Sequence, residues 1–256
     1  VVREGMVDHA DSLGAAGRYG NGDVQWMTAG QGVQHSEMFP LLSQEKENPM
    51  ELFQIWLNLP RKSKMVPANF TMLWGESIPR KSFVDAKGNK TEIEIIAGPI
   101  ENEKLPSPPP DSWASDPANN VAVWNIQMEA NAEWVMPKTS ADTNRTLYFY
   151  EGKGLSINGI AIADYHAAEV NPDQNLTLRS GPSGAKILTL QGKPINEPVV
   201  QHGPFVMNTR EEISQAFGDY QRTQFGGWPW PKRDQVHDRS KGRFARYVDG
   251  RIEEKG

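Results

Sequence analysis

Apolar and polar residues alternate along most of this chain, in short runs that glycine and proline cut off. In "ELFQIWLNLP", Phe53, Ile55, Leu57 and Leu59 alternate with Gln54, Trp56 and Asn58, the period-two pattern of a half-buried strand. The same rhythm predicts strands in "VVREGMV", "RYGNGDVQWM", "GVQHSEMF", "ANFTMLW" and "TEIEIIAG". Asn21-Gly22 marks a hairpin, since a two-residue turn of the favoured kind needs positive φ at both central positions. Strand patterning resumes in "VAVWNIQME", "RTLYFYEGKGLSINGIAI", "AAEVNPDQNLTLRS" and "AKILTLQG". The one predicted helix is "NTREEISQAFGDYQR", opened by Asn208 or Thr209 as a cap, with acids in its first turn.

Between the two blocks of strands lies "EKLPSPPPDSWASDP", residues 103–117, with five prolines and almost no aliphatic side chains. Proline holds the backbone extended and poor in hydrogen bonds, so this stretch reads as a linker. Segments on either side echo each other in order. "VVREGMVDHADSLG" matches "LYFYEGKGLSING" as strand, Glu-Gly turn, strand, and "ELFQIWLNLPRK" matches "AKILTLQGKPI" as a closing strand with a basic, proline-bearing turn. The expected organisation is a duplicated β domain. A first domain covers 1–117 and ends in the linker, a second covers 118–222 with the helix at its end, and 223–256 is an irregular tail. Val1-Val2 falls inside an apolar run, so further sequence is expected upstream, including the first strands of that domain.

Composition narrows the function classes. The 256 residues carry a net charge of −5, 38% hydrophobic content, 23 glycines and 19 prolines, with no cysteine. Mean hydropathy is −0.60. No basic run offers a grip on a phosphate backbone, so direct nucleic-acid binding is not expected. The lack of cysteine removes disulfides, zinc–thiolate sites and thiol nucleophiles. No apolar stretch reaches the roughly 20 residues of a membrane-spanning helix. Gly-x-Ser-x-Gly, phosphate-loop and dinucleotide-binding patterns are missing from the sequence.

The chemistry-bearing pair is His35 and Glu37 in "GVQHSEMF". Two positions apart on a strand, they share a face about 6.5–7 Å apart along the backbone. They can converge on one ion, and an imidazole with a carboxylate suits Fe, Mn, Zn, Ni or Cu over Ca or Mg. Spacing alone equally describes two polar groups facing solvent, and favours that reading. The other histidines offer less. His9 is read as solvated in a loop, His166 as near a turn, His237 as part of the tail, and the His202 ring as bonded to backbone carbonyls. Trp26, Trp56, Trp74 and Trp124 are expected in a core or at a barrel mouth, and Trp228 and Trp230 are expected to pin the tail.

"GDVQWMTAGQGVQHSEM", "WLNLPRKSKMV" and "EPVVQHGPFVMNTREEISQAF" resemble the signature segments of pirins, over about Val1 to Arg222. The resemblance implies an all-β bicupin, two stacked jelly-roll-like cupin barrels with a short C-terminal helix and an irregular tail. It implies a first-cupin iron held by three histidines and a glutamate, two of the histidines from a His-Pro-His segment preceding "VVREG". His35 and Glu37 fall on the family's His-x-Glu ligand positions, and the second cupin is expected to hold no metal. Fe(II) is the implied metal, with Mn, Ni, Cu, Zn or Co as alternatives. The implied activity is that of a quercetin 2,3-dioxygenase acting on a flavonol-like aromatic, with Glu37 as ligand and catalytic base. The alternatives are a non-catalytic transcriptional or metabolic co-regulator that binds a protein partner, or a metal-free scaffold. A cytoplasmic location is expected.

Overall fold

Period-two patterning yields short strands along much of the computed structural model, which describes residues 1–255, but not over 53–59, where the alternating run is irregular and only Glu51–Leu52 before it is strand. In order, β1 is Val2–Glu4, β2 Met6–Asp11, β3 Ala16–Gly20, β4 Val24–Thr28, β5 His35–Met38, β6 Glu51–Leu52 and β7 Asn69–Leu73. There follow β8 Arg80–Val84, β9 Lys90–Ala97, β10 Ala122–Met128, β11 Glu133–Met136 and β12 Asn144–Gly152. Next come β13 Ser156–Ile157, β14 Ile160–Ala161, β15 Ala167–Glu169, β16 Leu176–Arg179 and β17 Ala185–Gly192. The chain closes with β18 Val200–His202, β19 Phe205–Met207, the helix α1 Arg210–Thr223, β20 Arg243–Arg246 and β21 Ile252–Lys255. Among the described residues no helix is long and apolar enough to cross a membrane.

Two compact units result, and they do not follow the 1–117, 118–222 and 223–256 segments expected from composition. The first comprises Val1–Glu76, Pro108–Trp113 and Ile195–Gly256, and the second Ser77–Ser107 and Ala114–Pro194. Residues 77–107 join the second unit because β9 pairs along the length of β10, Ile93 opposite Ile126 and Ile95 opposite Trp124. Such apolar cross-strand neighbours outweigh proximity in sequence.

The second unit has a six-stranded sheet, β15-β12-β17-β10-β9-β8, and a four-stranded one, β11-β16-β13-β14. Ile93, Ile126, Ile187, Met136 and Leu178, all without exposed surface, lie in the core cluster these strands share. Asp85 organises its β8–β9 turn, accepting the backbone N–H groups of Lys87, Asn89 and Glu133 at 2.8–3.0 Å. Burial raises its pKa, but these donors more than offset it and bring the carboxyl down to about 2. A carboxyl depressed in the folded state stabilises above its unfolded pKa and loses that contribution as pH falls. Asp85→Asn is therefore expected to flatten the loss of second-unit stability between about pH 4, the ordinary carboxyl value, and about pH 2. Urea midpoints across that window are the check; parallel curves for the two proteins would refute it.

In the first unit a five-stranded sheet runs β21-β20-β3-β2-β5, with the ladders β4-β7, β1-β6 and β18-β19 beside it. Val7, Tyr19 and Ala245 from the sheet meet Phe70 and Met72 of β7 and Val2 of β1 in one core. Thr209 caps α1: its side chain takes the Glu212 N–H while Glu212 reaches back to the Thr209 N–H, a full capping box. The tail is irregular over 227–242. It then corrects the expectation of an arm without structure, because β20 pairs with β3 and β21 with β20. The edge of β3 is thereby covered rather than left as a row of open backbone groups.

Candidate metal centre

β2 and β5 pair antiparallel in a register that sets His9 opposite Glu37 and Asp11 opposite His35. Residues two apart on a strand share a face, so all four emerge on the same side of the ladder. One ligating atom each from His9, His35 and Glu37 lies within 4.8 Å of the others. The His9 and His35 rings meet edge-on with centroids 5.6 Å apart.

The reading of His9 as a solvated loop residue is corrected. It sits inside β2 with none of its surface exposed. Its Nε2 lies 3.3 Å from Asp11 Oδ2, while its Nδ1 is buried with no hydrogen-bond partner. Asp11 is itself fixed, since Oδ1 accepts the N–H groups of Leu13 and Ala15, both at 2.9 Å, closing the turn into β3.

His35 is the most open member of the group and Glu37 is half-buried. The protein packed around the His35 ring, aided by the neighbouring His9, lowers its pKa below 6.5, against the opposing pull of Glu37 and Asp11. The ring is thus neutral near pH 7, the state a metal ligand needs. Tyr19 on β3 places its hydroxyl 3.5 Å from Glu37 Oε1 and 3.3 Å from Gln25 Oε1. Burial first, and then the Glu37 charge and hydrogen bond, push the Tyr19 hydroxyl pKa well above 10. It therefore stays a donor across the physiological range.

The donor set fits a transition metal. Two imidazoles and one carboxylate with no thiolate match the facial ligand triad of non-haem iron oxygenases better than the all-oxygen shells of Ca or Mg. The orphaned Nδ1 of His9 supports that fit, because a buried polar atom without a partner is costly unless something completes it.

The opposite face of β2 is anchored from the tail. Asp8 pairs with Arg18 across the β2–β3 ladder, and the guanidinium grips the carboxylate with Nε at 2.7 Å and Nη2 at 2.8 Å. The remaining N–H groups of Arg18 reach the carbonyls of His237, Asp238 and Lys241. The His237 N–H returns to Asp8 Oδ2 at 2.8 Å, and its ring meets the His9 carbonyl at 3.0 Å. Trp230 Nε1 donates to the Asp11 carbonyl at 2.7 Å, so this indole does pin the tail, at the back of the site strand.

The His202 ring packs edge-on against Phe217, centroids 5.3 Å apart, in place of the expected bonding to carbonyls. His166 stays exposed, its Nδ1 against the Asp164 carbonyl. Trp74 and Trp124 are buried, whereas Trp56 is exposed on the surface.

The family model "Pirin" matches residues 1–57, and "Pirin C-terminal cupin domain" matches residues 123–226. A Pseudomonas aeruginosa protein provisionally named a quercetin 2,3-dioxygenase is 37% identical over 220 residues, covering 85% of this chain and 72% of that protein. The chain belongs to the pirin family. The fold agrees. A quercetin 2,3-dioxygenase structure from Acinetobacter baumannii is similar with a TM-score of 0.77 at 29% identity, over 89% of this chain and 75% of that one. The Escherichia coli bacterial pirin YhhW, solved in complex with nickel(II), shares the fold at a TM-score of 0.50 and 18% identity, over 75% of this chain and 70% of its own. For this pirin, sequence reasoning singled out His35 and Glu37 but not His9, which the structure brings beside them. The signal was the His9-x-Asp11 spacing in "MVDHAD", which matches that of His35-x-Glu37 but is hidden by its polar neighbours.

Proposed function

We propose that this pirin holds one divalent transition-metal ion, Fe(II) foremost, through His9, His35 and Glu37. We further propose that it acts as a dioxygenase of the quercetin 2,3-dioxygenase type on a flavonol-like aromatic. The observation that carries the reading is the convergence of two imidazoles and a carboxylate within 4.8 Å. The names of the Pseudomonas and Acinetobacter relatives support the activity. The nickel(II) in the E. coli fold neighbour keeps nickel, with Mn, Co, Cu and Zn, among the metals to test.

A metal bound there supplies a Lewis acid for a substrate oxygen and a redox partner for dioxygen. The chain's own groups do the rest. His35, neutral near pH 7, offers a lone pair without competing for a proton, and His9 adds a second ring nitrogen. Glu37 accepts from Tyr19 at Oε1, and its carboxylate would both ligate the metal and, on release from it, take the proton of a substrate hydroxyl. Tyr19, protonated throughout, fixes the orientation of that carboxylate.

Protein loaded with Fe(II) is expected to consume oxygen in the presence of quercetin. Glu37→Gln is expected to cut that rate by about 100-fold or more, the usual cost of losing a general base. An oxygen electrode decides the matter. Metal binding with no oxygen uptake, on quercetin or simpler catechols, would overturn the dioxygenase reading and favour the regulatory one.

A further inference from the structure

We propose that one end of the second unit is a binding site for a small carboxylate, built around the side chain of Arg145. It stands apart from the metal-centre reading, which concerns the first unit alone.

Arg145 follows the first residue of β12. Its register partner is Gln191 near the end of β17, which in turn faces Ala122 at the start of β10. Those strand ends place Arg145 at the rim of the six-stranded sheet rather than in its middle. Alternate residues of a strand share a face, so it lies with Leu147 and Phe149 on the side that carries the core. Only 3% of it is exposed. Its Nε donates to Gln191 Oε1 at 2.7 Å and its Nη1 to the Pro137 carbonyl at 2.8 Å. The guanidinium carbon lies 5.9 Å from the centre of the Trp124 ring.

A guanidinium carries five N–H groups. These two bonds leave one N–H of Nη1 and both of Nη2 without an acceptor among the described residues. Both acceptors, moreover, are neutral. Among the described residues no carboxylate pairs with Arg145. Asp142 in the neighbouring turn is engaged by the Lys193 ammonium at 3.0 Å and by the Ser140 hydroxyl. Burial alone pulls the Arg145 pKa down to about 10, with no opposing charge to lift it. A buried charge is costly unless it is both paired and hydrogen-bonded.

The same interior face carries a second unmet group. Thr189 stands between Trp124 and Leu147 in the register, has no exposed surface, and its hydroxyl has no hydrogen-bond partner. A strut for the 137–143 turn needs only a neutral donor to the Pro137 carbonyl, so the charge of Arg145 is surplus to that duty. The group that completes this end is an acceptor with negative charge. The spare N–H groups belong to the planar fork that matches a carboxylate. The indole beside the guanidinium adds an apolar flank, which favours a small organic acid over inorganic phosphate.

The test follows the Nε–H signal of Arg145 in the ¹⁵N-labelled whole chain, assigned through its own backbone. Sodium acetate or benzoate is added against sodium chloride at equal ionic strength. A saturable shift with the two carboxylates and none with chloride is expected, together with a rise in melting temperature as the folded state is bound. Arg145→Lys keeps the charge and loses the fork. It is expected to weaken acetate binding by about 10-fold or more, the worth of one charge-assisted hydrogen bond. No saturable shift in the wild type would overturn the proposal, whether or not the variant folds. A folded Arg145→Lys with undiminished acetate affinity would overturn it too. So would inorganic phosphate binding more tightly than acetate, the mark of a charge site with no preference for carboxylates.

Discussion

Replacing Arg18 with alanine is expected to destabilise the first unit by about 3–5 kcal/mol, the range for breaking a buried ion pair by removing one partner. Arg18 is only 1% exposed and Asp8 is fully buried. The loss strands a carboxylate that keeps the His237 N–H, and it takes the Arg18 donors from three carbonyls of the tail, of which Asp238 keeps the Lys241 N–H. The desolvation cost of Asp8 then stands without its counter-charge. Two readouts should move together. The urea midpoint of the unit should fall, and proteolysis within 227–242 should accelerate, because that irregular stretch loses its main anchor. Exchanging both partners for apolar residues, as in Asp8→Leu with Arg18→Met, is expected to recover much of the loss, since no charge is left buried alone. A single variant with an unchanged midpoint and unchanged proteolysis would refute the clamp.

Loss of the His35 imidazole is expected to abolish metal retention. Wild-type protein dialysed against cobalt(II) or Fe(II) should carry about one ion per chain, and His35→Ala should carry almost none. The effect should exceed the 10–100-fold typical of losing an outer-shell partner, because a donor atom itself disappears. The fold should survive, as the His35 side chain is exposed and belongs to neither core cluster. Thermal denaturation supplies a second readout. A ligand that binds only the folded state stabilises it by about 2.7 kcal/mol at 100 times its Kd. The wild type should therefore melt higher with metal, and His35→Ala should melt at one temperature with or without it. Equal metal content in the two proteins would remove His35 from the ligand set.

Much of this was legible from local pattern. A period of two is a property of consecutive residues, so the strands of "AKILTLQG" and "VAVWNIQME" could be read without a structure, and they are β17 and β10. The helix was equally readable, because its cap and box lie within four residues of each other, Thr209 to Glu212. His35 and Glu37 share a face for the same local reason, and the family words around them gave that face a meaning.

What the sequence could not determine is which strand lies next to which, and in what register. β2 and β5 are separated in sequence by β3 and β4, which pair with β2 and β20 and with β7, and not with each other as Asn21-Gly22 suggests. A slip of one residue between β2 and β5 would turn one pair of side chains away from the other. That register, decided by the packing of Val7, Tyr19 and their neighbours, brings His9 and Asp11 to His35 and Glu37. The tail escaped for a related reason. "GRFARYVDGRIEE" is too charged to declare itself as a strand, and it forms one because the open edge of β3 and the buried Arg18 give its backbone partners. The sequence by itself determined an all-β chain and a candidate pair, His35 and Glu37, on one strand face. Only the tertiary structure brought His9 beside them, since long-range pairing leaves no periodic trace in the strands it joins.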